Sequence, residues 1–318
     1  MNCKTCGMLI AACGLSQIAL ADITQTDAYK VELRNFNDYP SSVILSNTAG
    51  TTDAHINEVM NPPGTTDPQK FANRHFAMLS SDGGTTRLAL MNRQPFHISY
   101  RMLMVSTIDG VGALFPTQPE GGIFFGNDRG GGFIDEGGVF VIGNGTVFVG
   151  GANQKFSLIG DHNNGTDAFA KGDLLEMHYR YYPPGIKGAE AAYKVSFENV
   201  TSGFGKEVSN TFDPGAVDAN GFNDGSWAGF RWQHPRNPTV LTVNDITYSS
   251  IAISSCPADL NGDDVVDDSD FVIFAGAYNT LLCPDAPAPC NADLNGDDVV
   301  DDADFVIFAA AYNELICP

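Results

Sequence analysis

The chain has 318 residues, 43 % of them hydrophobic and 17 % charged, enough for one large core and a smaller one. Its formal net charge is −21, and two thirds of that charge sits in the last fifth of the chain: residues 256–318 hold 14 acidic side chains and no Lys or Arg. A surface of that kind repels phosphate backbones and anionic lipid, which excludes nucleic acid and membrane surfaces as its partners and leaves cations.

In chain order, the first segment reads as a targeting signal. Lys4 supplies a positive charge, residues 8–21 are mostly apolar, and Ala19, Leu20 and Ala21 precede Asp22 in the small-x-small form of a cleavage site. Residues 1–21 are therefore expected to be a signal peptide, and the protein to be secreted, extracellular or at the cell surface. The run Ile10-Ala11-Ala12-Cys13 resembles a lipoprotein cleavage box, an alternative route that would leave a lipid on Cys13. No other stretch approaches the roughly 20 apolar residues of a transmembrane segment.

From residue 22 to residue 254 the pattern is strand-like. Apolar and polar residues alternate in 96–102, 174–181 and 193–198, and short runs at 43–45, 122–125, 139–142, 146–149 and 243–248 are bounded by Gly, Asn and Asp. No long helical period appears. Many short strands over some 230 residues predict a mainly β fold, an antiparallel β-sandwich of jelly-roll type. In texture this stretch resembles laminin G and concanavalin A-like, lectin-like domains, without a signature motif. The alternation places Tyr100, Met177, Tyr179, Val195 and Phe197 toward the core, and His97, Ser99, Arg101, Glu176, His178, Arg180, Lys194, Ser196 and Glu198 on the other face. The row Glu176, His178, Arg180 is a candidate ligand-binding face, with a solvated sheet face as the plainer reading. Trp227 and Trp232, beside Arg231 and His234, could stack on sugar rings, or fill the core. No single strand carries the paired carboxylates that glycoside hydrolysis needs. The run Gly130-Gly131-Gly132 lacks a strand-helix setting, so it is expected to be a turn.

Residues 22–255 contain no cysteine, whereas the tail has four: Cys256, Cys283, Cys290 and Cys317. An even set in a small secreted module reads as disulfides. The equal offsets, 256 to 283 and 290 to 317, favour one bridge within each half over the two other connectivities.

The tail, residues 255–318, is also an internal duplication. Residues 256–279 recur as 290–313 with 21 of 24 positions identical. Each copy holds the run DLNGDDVVDD. Counting from its first Asp, the first copy places Asp259, Asn261, Asp263, Val265, Asp267 and Asp270 at positions 1, 3, 5, 7, 9 and 12, and the second places Asp293, Asn295, Asp297, Val299, Asp301 and Asp304 there. That spacing suits a loop wrapped round one calcium ion, with side-chain oxygens from 1, 3, 5, 9 and 12 and a backbone carbonyl from 7. Two copies predict two calcium ions. Val266 and Val300, at position 8, are expected where the two loops meet. Each loop runs into an apolar helical pattern, with Phe271, Phe274 and Tyr278 on one side and Val272, Ile273 and Ala277 on the other, which predicts burial on more than one side.

These loops, each followed by a helix with no entering helix, resemble a type I dockerin, a double EF-hand of calcium-binding loops. The cysteine-bracketed form is similar to tails of secreted planctomycete proteins. The resemblance implies an extracellular protein partner. Positions 10 and 11, which dockerins use to grip a cohesin, are here Asp268-Ser269 and Asp302-Ala303, and the module has no basic residue, which argues against a standard cohesin. Position 6, usually Gly, is Asp264 and Asp298.

Three functions fit these features. The first is a secreted calcium-binding protein whose lectin-like sandwich binds carbohydrate or a surface without catalysis and is tethered through its tail. The second is a polysaccharide-degrading hydrolase or lyase acting on glycosidic bonds, the usual company of a dockerin. The third is a calcium-dependent structural surface protein. The missing acid pair favours the first.

Overall fold

The computed structural model describes residues 29–37, 41–47, 54–60, 72–80, 87–90, 95–105, 118–127, 134–151, 154–212, 226–235, 242–263, 265–279, 292–295 and 299–314. The expected leader, the glycine run at 130–132, position 6 of both loops, and Cys283, Cys290 and Cys317 lie outside these residues.

In chain order the strands are β1 (Tyr29–Asn37), β2 (Ser41–Asn47), β3 (Ala54–Met60), β4 (Ala72–Leu79), β5 (Ala89–Leu90), β6 (Phe96–Met104), β7 (Glu120–Asn127), β8 (Ile134–Ile142), β9 (Val147–Gly150), β10 (Ser157–Gly160), β11 (Leu174–Tyr182), β12 (Ala192–Asn199), β13 (Phe204–Thr211), β14 (Ser226–Pro235) and β15 (Thr242–Ser255). Two helices follow, α1 (Asp268–Tyr278) and α2 (Asp302–Glu314). One sheet runs β1-β4-β14-β7-β8-β9-β10 with β5 paired to β14, and the other runs β13-β12-β11-β6-β15-β3-β2. Among the described residues every strand pairing is antiparallel in both sheets, and the two sheets form a sandwich.

The sheets face each other because alternate residues of their strands are apolar. Tyr100, Met177, Tyr179, Val195 and Phe197 are buried in one core with Ile123, Phe125, Val139, Val141, Phe230, Trp232 and Tyr248, as the alternation of β6, β11 and β12 requires. Burial of the Tyr248 hydroxyl is compensated by backbone partners. Tyr248 Oη accepts from Gly122 N at 2.8 Å and donates to the Arg231 carbonyl at 2.9 Å. Gly122 sits at φ +127°, and a Cβ there would lie 1.9 Å from the Val139 carbonyl oxygen, so only glycine lets β7 and β8 approach at this point.

Strand β14 is buried on both faces. Phe230 and Trp232 enter the main core, while Trp227 joins Phe76, Met78 and Phe124 in a second cluster on the far side of the same sheet. The tail's buried residues form a cluster of their own, made of four pairs related by the 34-residue repeat: Ala258 with Ala292, Leu260 with Leu294, Val266 with Val300, and Phe274 with Phe308.

Candidate functional sites

In the tail, the loop that precedes α1 gathers its carboxylates. Asp259, Asp263 and Asp270, at positions 1, 5 and 12, each bring an oxygen to within 4.8 Å of the others. The loop is shaped by its own acids accepting backbone N–H bonds. Asp259 Oδ1 accepts from Gly262 N at 2.6 Å and Asp263 N at 3.0 Å. Asp270 accepts from Asn261 N and Asp267 N, both at 3.0 Å. Gly262 takes φ +73°, the left-handed turn that lets four backbone amides converge on these oxygens. Asp267 caps α1, its side chain accepting from Ser269 N, and Asp270 completes the capping box.

In the second copy the backbone bonds of position 12 recur. Asp304 accepts from Leu294 N at 2.7 Å, Asn295 N at 3.0 Å and Asp301 N at 2.9 Å. Burial pushes the Asp304 carboxyl upward, against those three amides that pull it down. A buried carboxylate raised by desolvation is one whose ionised form a cation would relieve. Asp297 lies outside the described residues. Val265 and Val299, at position 7, are exposed and Val266 and Val300 are buried.

Position 10 behaves in a way the sequence does not announce. Tyr278 at the end of α1 donates its hydroxyl hydrogen to Asp302 at the start of α2, and Tyr312 of α2 donates to Asp268 at the start of α1. The neighbouring carboxylate raises each phenol above its usual pKa. The helices also interlock through Phe271 with Phe308, and Phe274 with Phe305 and Phe308. Only one side of each helix is covered, however: Val272 is 71 % and Val306 63 % exposed, so the burial expected on a second side is not met among the described residues. Cys256 is disulfide-bonded. The first loop touches the sandwich, where Lys187 Nζ donates to the Asn261 carbonyl at 3.0 Å.

On the sandwich, the candidates from the sequence separate. Trp227 and Trp232 are 2 % and 0 % exposed. Trp227 packs edge-on to Phe76 and Trp232 tilts against His75, so neither indole has a face open to a sugar. Arg231 pairs with Glu120 and lies 4.7 and 4.9 Å above the rings of Phe124 and Phe140, a buried charge enclosed by aromatic faces.

Glu176, His178 and Arg180 lie on the outer face of β11, as their parity requires. The register adds the neighbours that no single strand shows: Arg101 opposite Glu176, Ser99 opposite His178 and His97 opposite Arg180 on β6, and Glu198 opposite Glu176 on β12. Arg101 Nε donates to Glu176 Oε2 at 2.7 Å, Glu176 Oε1 lies 3.2 Å from His178 Nε2, and His178 Nδ1 lies 3.0 Å from His97 Nε2. The Arg101 hydrogen bond holds the Glu176 carboxyl below its usual pKa. Glu176 is thus ionised with both oxygens engaged, which unfits it as a general acid despite Glu198 alongside.

No helix among the described residues is long and apolar enough to cross a membrane. No family model matches the chain, and no curated protein matches it. Solved structures with a similar fold include the family 7 alginate lyase A1-II′ in complex with substrate, at 12 % identity over 72 % of this chain and 93 % of that one with a TM-score of 0.43. They also include peanut lectin with a bound peptide, at 11 % identity over 71 % and 99 % with a TM-score of 0.35, and a PL-14 alginate lyase from Aplysia kurodai, at 8 % identity over 76 % and 100 % with a TM-score of 0.39. Each is a likeness of fold only.

Proposed function

We propose that the chain is a secreted calcium-binding protein in which the duplicated, dockerin-like tail holds two calcium ions and tethers a carbohydrate- or surface-binding sandwich. The observation that carries the calcium reading is the convergence of Asp259, Asp263 and Asp270 within 4.8 Å, at the loop positions expected to supply ligands. Crowded carboxylates repel one another, and hard oxygen donors in a flexible loop suit calcium better than the tighter octahedron of magnesium. Asn261, Val265 and Asp267 complete the first set. Asp293, Asn295, Asp297, Val299, Asp301 and Asp304 form the second.

The non-catalytic reading of the sandwich is supported by the state of Glu176, whose oxygens are taken by Arg101 and His178. Calorimetric titration of the full chain with calcium tests the first part. Two ions per chain are expected, with magnesium unable to displace them at equal concentration, and no heat of binding would overturn it. A glycan-binding and glycan-degradation screen on the same protein tests the second. Turnover of a polysaccharide would replace the binding protein with the polysaccharide-degrading enzyme.

A further inference from the structure

Strand β15 ends at Ser255 and the leading ligand of the first loop is Asp259, so a tie of three residues holds that loop to the sandwich. The Asp259 amide turns back onto the Cys256 carbonyl at 3.1 Å. The loop lies against the turn between β11 and β12, which is braced by its own backbone: Gly185 N donates to the Gly188 carbonyl at 2.7 Å and Ile186 N to the Pro183 carbonyl at 3.3 Å. That turn presents Ile186 and Lys187 in fixed places. A Cβ on Gly262 would lie 2.9 Å from Ile186 Cγ2 and 3.0 Å from Lys187 Nζ. Lys187 Nζ sits 5.2 Å from the centre of the Tyr182 ring and donates to the Asn261 carbonyl at 3.0 Å, and among the described residues it bonds no carboxylate. Its positive charge therefore rests on the backbone of residues 261 and 262, while the Gly262 amide holds Asp259 at 2.6 Å and the Asn261 side chain holds Asp263 at 2.9 Å.

We infer that Lys187 makes the two calcium loops unequal, so that the second loop fills first and the first loop only at higher calcium. The inference rests on the calcium reading of both loops. Their ligand residues are the same at every position, and the three positions at which the copies differ, 257/291, 269/303 and 276/310, carry no ligand. Sequence alone thus gives the loops equal affinity, and what packs on each of them makes the difference. Lys187 hydrogen-bonds the first loop and not the second. An ammonium group at that place is attracted by the converged carboxylates of a calcium-free loop and repels a divalent ion held among them. The side chain is exposed, so water and salt screen the effect: a factor of about 3 in affinity is expected at low ionic strength, fading near 1 M salt, where the Debye length is about 3 Å. Linkage makes the coupling reciprocal. Whatever Lys187 costs the ion, the ion costs the contact between Lys187 and Asn261, so filling the first loop loosens the seat of the tail on the β11–β12 turn.

The test is calcium calorimetry on the full chain at an ionic strength of about 0.01 M, with one loop silenced at a time. Asp304→Ala leaves the first loop and Asp270→Ala leaves the second, and the first should bind about 3-fold more weakly. Lys187→Met keeps the packing of the stem and removes the charge, so it should bring the first loop level with the second, and Lys187→Glu should carry it past. Neither should move the second loop, and about 1 M potassium chloride should erase the difference. Amine labelling read by mass spectrometry needs no variant. In wild type, labelling of Lys187 should rise as the weaker site fills, while that of Lys206, which donates to the Leu158 carbonyl at 2.8 Å, stays constant. Equal affinity of the two loops at low salt, a Lys187→Met effect shared by both loops, or Lys187 labelling indifferent to calcium overturns the inference. Absence of any calcium heat in wild type would overturn the calcium reading itself and this inference with it, a failure that the first titration tells apart from the others.

Discussion

At the scale of single residues, partners assign side chains their roles more sharply than composition does. His97 and His178 are both imidazoles on one sheet face, yet burial and Arg180 keep His97 at about 3. An unfolded histidine titrates near 6.5, so between about 3 and 6.5 the unfolded chain binds the extra proton. The stability that neutral His97 contributes is therefore complete above about 6.5 and is lost as pH falls toward 3. Urea unfolding in chelator should show wild type losing stability through that window more steeply than His97→Gln. Among the tail acids, Asp270 and Asp304 organise their loops through backbone amides, whereas Asp268 and Asp302 accept from tyrosines of the opposite helix. Asp270→Ala or Asp304→Ala should lose one calcium ion in calorimetry. Asp268→Ala and Asp302→Ala should keep both ions and lower the tail's melting temperature.

At the scale of elements, the tail is a pair of loop-helix units related by the repeat. Each unit contributes the same four side chains to the shared core, and the two Tyr–Asp hydrogen bonds cross between them in both directions. A core this small has no reserve. Phe274→Ala or Phe308→Ala removes a buried ring at about 3–5 kcal/mol, which should abolish helical circular dichroism of the tail even in calcium. Val272→Ala on the exposed side should stay within about 0.5 kcal/mol of wild type. In the sandwich, β6 and β11 serve as the rigid frame that brings Arg101, Glu176, His178 and His97 into one chain of contacts, since successive outer side chains of paired strands fall side by side.

At the scale of the whole molecule, the protein joins a large apolar core to a small one flanked by acidic loops, and these depend on solvent differently. The sandwich buries aromatic rings on both sides of β14. The tail crowds carboxylates around short helices, and its folding should follow calcium. Differential scanning calorimetry of the full chain should show two transitions. Chelator should abolish or greatly lower the tail transition and leave the sandwich transition in place. A single transition that moves as one with calcium would show the two parts to be coupled, with Lys187, which donates to the Asn261 carbonyl, the first residue to mutate.

Much of this was written locally. Period-two alternation in β6, β11 and β12 identified which residues enter the core, because a strand with one buried face must alternate. The duplication and its ligand spacing were legible for the same reason: loop ligands lie within twelve residues of each other. The strand β14 was not legible, because burial on both faces removes the alternation, and neither was β13, whose outer-edge position leaves most of it exposed. Only the tertiary structure decided that Trp227 and Trp232 are interior, that Asp268 and Asp302 are occupied by tyrosines, and that His97 meets His178. Those contacts join residues 24 positions apart (Tyr278 and Asp302), 44 apart (Tyr312 and Asp268) and 81 apart (His97 and His178), and strand register and helix pairing, not local pattern, set them.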